Sequence, residues 1–185
     1  MIPRPIAYDV DASDAIVRIE GPWDEFAAQN GAPQLTRPAV LARPFLSFVA
    51  GHEMRQLTAT LLARVRSGTP ISLGFRCDSP SERRHLQLDA MAVGDVVRCT
   101  STLLRSEPRA VPPLLDPERE RSGHSLSVCS WCRRIRVAES GWVEVEEAVA
   151  ARDLFDGGPL PLLTHGICAD CTSLLRAGSK RRFER

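Results

Sequence analysis

Four cysteines near the C-terminal end are the residues whose type and spacing most plainly imply chemistry. They stand as Cys129-Ser130-Trp131-Cys132 and Cys168-Ala169-Asp170-Cys171, with 35 residues between the pairs. A two-residue gap lets both sulfurs of a pair converge on one ion from a tight turn. Four thiolates then complete a tetrahedral shell around Zn2+. A closed shell has no position for water, so it builds structure and hydrolyses nothing. The same residues could instead form a dithiol redox pair or remain free buried thiols. Thioredoxin-type sites place a tryptophan before the first cysteine, whereas Trp131 lies between Cys129 and Cys132. A structural zinc can also sense oxidants, because oxidising its thiolates releases the metal.

The other candidate residues stand alone. His165, three residues before Cys168, reads as a donor to a thiolate from outside the shell or as a cap of the turn. His124 falls in a polar segment and reads as solvated. Cys77 and Cys99 fall on predicted strands, where single cysteines usually act as small hydrophobes. The sequence has no Gly-x-Ser-x-Gly, no phosphate-cradling glycine loop and no His-Glu-x-x-His. The chain is therefore read as a non-enzyme.

These residues need elements to position them. Weak alternation around Asp9 to Asp14 predicts a hairpin of strands 6–10 and 15–19, broken by Gly21-Pro22. Trp23, Phe26 and Ala27 share one face of a short helix over 23–29, with Asn30-Gly31 as its stop. Met54, Leu57, Leu61 and Val65 form the stripe of a longer helix over 52–67, closed by Gly68. Period-two alternation then predicts strands over 71–77, 84–93 and 96–104, the last two joined at Gly94-Asp95. Pro108, Pro112, Pro113 and Pro117 mark 107–126 as a linker. Beyond it, 133–137 and 141–143 read as strands, 145–153 as a short helix, and 172–176 as a second helix beginning near Cys171.

Composition narrows the setting. Hydrophobic residues make up 43% of 185, enough for a core, and the net charge is +1, which announces neither nucleic acid nor membrane. No segment reaches the ~18 apolar residues of a membrane span. The first ten residues lack the apolar run of a secretory signal. Paired Cys-x-x-Cys units are unlike a disulfide framework, so a reducing cytoplasm is expected.

The order of two strands, short helices, a longer helix and three antiparallel strands resembles the PAS fold, a five-stranded antiparallel sheet gripping small helices around a pocket. The resemblance rests on the helix before Gly68, the stretch Gly68–Cys77 and the hairpin at Gly94-Asp95, and covers residues 6–105. Residues 127–175 resemble a module found after PAS and receiver domains in bacterial sensory proteins. Its motifs here are Val128-Cys129-Ser130-Trp131-Cys132-Arg133-Arg134-Ile135-Arg136, Gly141-Trp142-Val143-Glu144-Val145-Glu146-Glu147 and Thr164-His165-Gly166-Ile167-Cys168-Ala169-Asp170-Cys171. The second resemblance implies a bacterial signalling context but supplies no reaction.

The expected fold class is α+β: a PAS-like five-stranded antiparallel sheet with helices on one face, plus a small treble-clef-like zinc module. The expected domains are 1–106 (sensory), 107–126 (linker) and 127–185 (zinc module with a basic tail). Trp23, Phe26, Phe48, Leu57 and Phe75, with Phe45, Leu61, Leu88 and Val97, could line a ligand pocket or pack a solid core. By the resemblance, His52 could be an axial haem ligand, against the simpler reading of an exposed histidine at a helix start. The expected function is signal sensing or adaptation, with a protein partner, a homodimer or a small-molecule ligand. The runner-up is a transcription regulator binding DNA through Arg133, Arg134, Arg136 and the basic tail 176–185. A thiol redox switch is the third reading.

Overall fold

Five alternating segments hydrogen-bond into one antiparallel sheet in the computed structural model, which describes residues 4–116, 118–138, 141–151 and 159–178. The strands are β1 (Ile6–Val10), β2 (Ile16–Glu20), β3 (Ile71–Arg76), β4 (Glu82–Val93) and β5 (Val96–Pro108). Their order across the sheet is β2-β1-β5-β4-β3. In the first hairpin the Asp11 carboxylate accepts from the amides of Ser13 and Ala15, each at 2.9 Å, and so closes the turn. At the β4–β5 turn, Gly94 has φ +56°, a conformation that favours glycine. One face of the sheet is apolar, with Val10, Leu73, Leu86, Ala90 and Val97 buried on it.

The helices cover that face. They are α1 (Trp23–Gln29), α2 (Arg37–Val40), a 3-10 turn (Phe45–Phe48) and α3 (His52–Arg66). Met54, Leu57, Leu61 and Val65 of α3 are buried, as their spacing requires, and Leu62 joins them. Arg64 and Arg66 fall in the last turn, where the carbonyl end of the helix favours cations. The Trp23 indole donates to the Leu35 carbonyl at 2.8 Å and fixes the start of α1 against the following loop.

A second, smaller sheet follows. Its strands are β6 (Arg121–Cys129), β7 (Ile135–Val137), β8 (Gly141–Val143) and β9 (Leu160–Gly166), in the order β8-β7-β6-β9, with α4 (Val145–Ala151) before β9 and α5 (Ala169–Ala177) after it. β6 and β9 pair in parallel and the other neighbours are antiparallel. Leu126, Val128, Ile135, Val149 and Leu160 form a core of their own beneath this sheet. Strand structure enters the segment read as a linker from both sides: β5 runs to Pro108, and β6 begins at Arg121. Within that segment Leu114 is fully buried.

The two sheets share apolar contacts. Cys129, Trp131, Cys168, Cys171 and Leu175 belong to the same buried cluster as Val10, Leu73 and Val97 of the first sheet. The Trp131 indole donates to the Gly74 carbonyl at 2.8 Å, and the Arg76 amide donates to the Trp131 carbonyl at 2.9 Å. β3 is an edge strand, and these bonds cover part of its open edge. The Arg76 side chain is 6% exposed. It pairs with Asp78, and at 2.6 Å with Glu144 of the second region. At the far side Arg64 of α3 donates to the Ala177 carbonyl at 2.8 Å. There α5 closes on Gly178, at φ +60°.

Candidate metal centre and adjoining cavity

Cys129 ends β6, and the chain turns back through Ser130, Trp131 and Cys132 into β7. The turn closes with the Arg133 amide donating to the Cys129 carbonyl at 3.0 Å and the Cys129 amide to the Arg134 carbonyl at 2.8 Å. Arg133 takes φ +65°, uncommon for a residue with a side chain. Cys168 is the N-cap of α5, and its sulfur accepts from the Cys171 amide at 3.4 Å. The Cys168 amide donates to the Cys129 sulfur at 3.5 Å. A helix N-terminus favours negative charge, which suits thiolates at Cys168 and Cys171.

The four sulfurs all lie within 4.8 Å of one another. Cys168 Sγ is 3.8 Å from both Cys129 Sγ and Cys132 Sγ. A disulfide needs about 2.05 Å. Tetrahedral bonds of about 2.3 Å to one ion place sulfurs about 3.8 Å apart. The donor set and its spacing therefore fit one metal ion. Without a cation, these thiols share protons unevenly. Hydrogen bonds from Cys132 and Cys171 hold the Cys129 thiol far below its ordinary range. Cys132 is pushed up to about 12, first by its hydrogen bond to Cys129 and also by burial. Cys171 is pushed up by the same kind of contact. A metal ion replaces this proton sharing with four thiolate bonds.

Beside the cluster lies a cavity of about 500 Å³. Trp23, Phe26, Phe45, Leu61, Phe75 and Leu88 of the expected pocket set line it. Phe48, Leu57 and Val97 are not among its lining residues. Phe48 stacks beneath the Arg43 guanidinium, 4.8 Å from the ring centre, because the 3-10 turn aims it outward. Leu57 and Val97 are buried in the packed core, where the helix stripe and the strand alternation put them. Most of the lining residues that sequence reasoning did not find come from the first sheet and its helices, among them Tyr8, Asn30, Met54 and Ile71, and four come from the cysteine region: Ser130, Trp131, Arg133 and His165. The Trp131 ring meets Phe75 with centroids 5.5 Å apart.

His165 lies on β9 and lines the cavity, and the hydrogen bonds to cluster sulfur at Cys129 and Cys168 come from backbone amides instead. Burial, then the Arg133 charge, lowers the His165 pKa below its ordinary value. His52 is exposed at the start of α3, bonded to Gln56 at 2.9 Å, and is not on the cavity wall. The haem-ligand reading therefore has no support at that residue. Cys77 and Cys99 both reach the cavity wall, and burial is the first cause raising each thiol, Cys99 to about 11. Burial thus disfavours the thiolate at both. Arg134 pairs with Glu144 and Asp170, each at 3.7 Å, while Arg136 is exposed. Of the basic tail, residues 179–185 lie outside the described residues.

A scan against protein-family models finds no family that matches this chain, and a search of curated proteins finds no match. Among the described residues no helix is long and apolar enough to cross a membrane.

Proposed function

We propose that this chain is a cytoplasmic bacterial sensory or adaptor protein. A PAS-like domain takes a ligand or partner, and a treble-clef-like zinc module presents the interaction surface. The observation that carries this reading is that the turn between Cys129 and Cys132 also lines the cavity. Trp131 stands between two of the four cysteines, and its ring also faces the cavity. An occupant that moves Trp131 also strains the turn holding Cys129 and Cys132, which supplies a physical route from binding to the module's surface.

Support for the PAS-like part is a five-stranded antiparallel sheet whose helices and cavity lie on one face. Support for the module is a cysteine turn, a β7–β8 hairpin and a second cysteine pair at a helix start. Zinc is the favoured metal because four thiolates in tetrahedral spacing suit it and its site is closed. Native mass spectrometry with metal analysis tests both parts. One zinc per chain and a small molecule released on denaturation are the expected results. A folded chain carrying neither would sink the proposal.

A further inference from the structure

The cavity is apolar over most of its wall, with Tyr8, Trp23, Phe26, Phe45, Phe75 and Leu88 among its residues. Its polar lining residues are Asn30, Thr58, Cys77, Ser101, Ser130, Arg133 and His165, of which Arg133 is the one with a fixed charge. The Arg133 guanidinium is near enough to bias both the Cys77 thiol and the His165 ring electrostatically. No carboxylate pairs with Arg133 among the described residues, whereas its neighbour Arg134 has two. Ser130 Oγ is shut off from solvent and has no hydrogen-bond partner. Among the described residues, an unpaired cation and an unpaired hydroxyl thus flank the Trp131 turn, beside a cavity whose wall is mostly hydrocarbon.

Backbone strain points to the same residue. Arg133 holds φ +65°, where glycine would rest without strain. A long cationic side chain is placed there against the local preference of the backbone. Strain of this kind collects where a side chain has a task.

Resting on the reading of this cavity as a ligand site, we infer that it binds an amphipathic monoanion: a hydrocarbon body with a single carboxylate, the carboxylate meeting Arg133 and His165. The hydrocarbon body fills the aromatic part of the cavity. The carboxylate accepts charge-assisted hydrogen bonds from the guanidinium and is the counter-charge that Arg133 lacks. The volume is within the range of small-molecule sites, about 300–1,000 Å³.

Three probes with one hydrocarbon body and different heads test this on the zinc-loaded full chain: decanoate, decanol and decylammonium, each titrated calorimetrically. Decanoate is expected to bind at least tenfold more tightly than the other two. Arg133→Gly removes the cation while suiting the backbone, so it should fold and keep its zinc. It should lose at least tenfold for decanoate and leave decanol unchanged. Equal affinity for all three heads, or an unchanged decanoate affinity in Arg133→Gly, overturns the inference and leaves the cavity as a ligand site of another selectivity. Binding of none of the three also overturns it. The native mass spectrum then decides separately whether a different molecule fills the cavity and the sensory reading stands.

Discussion

The first sheet and the cysteine region solve the same problem by different means. The sheet buries Val10, Leu73 and Val97 under a helix whose stripe matches it, and apolar area holds it together. The cysteine region has a smaller core and a cluster of four thiols whose spacing matches a metal shell. A unit of that size gains little from burial alone and needs a staple. The two regions meet at Trp131 and Arg76. The turn that carries Cys129 and Cys132 therefore does more than hold its own module, because its Trp131 also lines the cavity and covers part of the edge of β3.

The largest expected effect separates the two modes of stabilisation. Structural zinc sites contribute on the order of 10 kcal/mol to folding. Cys168→Ser, or stripping the metal with a chelator, should abolish amide protection in β6, β7 and β9. Protection in β4 and β5 should fall but persist, since their ladder and α3 remain. Hydrogen exchange resolved by strand reads this directly. Equal protection in both regions after metal loss would show that apolar packing alone holds the second sheet.

Next is the reciprocal change. Leu73 is fully buried and faces Leu88 across the β3–β4 pair. Leu73→Ala should lower stability by about 4 kcal/mol, from lost transfer energy and a cavity. It should leave one metal per chain, measured by metal analysis beside a urea titration. Loss of the metal in this variant would mean that the cluster depends on the sheet as much as on its own turns.

Arg76 tests the joint itself. Its guanidinium is buried between Asp78 and Glu144. Arg76→Ala leaves the Asp78 carboxylate, 5% exposed, with Arg109 at 3.4 Å as its remaining cation. Breaking a buried pair costs about 3–5 kcal/mol, and the Arg109 contact places this case near 3. The loss should be smaller in a double variant with Glu144→Gln than the two single losses added. Additive losses would show that the two side chains do not act together.

Sequence patterns made the first sheet legible because its information is local. The stripe Met54, Leu57, Leu61 and Val65 and the Gly94-Asp95 turn each determine an element within a few residues. The cysteine pairs were legible for the same reason, since two-residue spacing is itself the geometry. What escaped was non-local. β6 has a polar first half, Arg121-Ser122-Gly123-His124, and becomes a strand by pairing in parallel with β9 across an intervening helix. Arg133 read as part of a basic surface, yet its left-handed backbone turns it toward the cavity, and no residue type announces that. The separation into a sensory domain, a linker and a module followed the prolines, whereas the packing runs through Trp131 and Leu114.

The smallest effect uses acid to order the two regions. Asp9 accepts two hydrogen bonds from Arg98, each at 2.8 Å, and these hold its carboxyl below the ordinary 3.8. A folded pKa below the unfolded one means that the contribution is complete above the ordinary value. It is lost as pH falls through the folded value. Metal thiolates compete with protons at higher pH than that, so acid should release the metal first. A titration followed by zinc release and by strand-resolved exchange should therefore show two steps. The second sheet should loosen near the release midpoint, and the first only below pH 3.8. Asp9→Asn should shift the lower step alone, reducing stability at neutral pH and leaving the release midpoint where it was. A single coincident step would break the comparison. It would mean that the shared core through Trp131 makes the two regions one cooperative unit, with the cavity between them closing and opening as a whole.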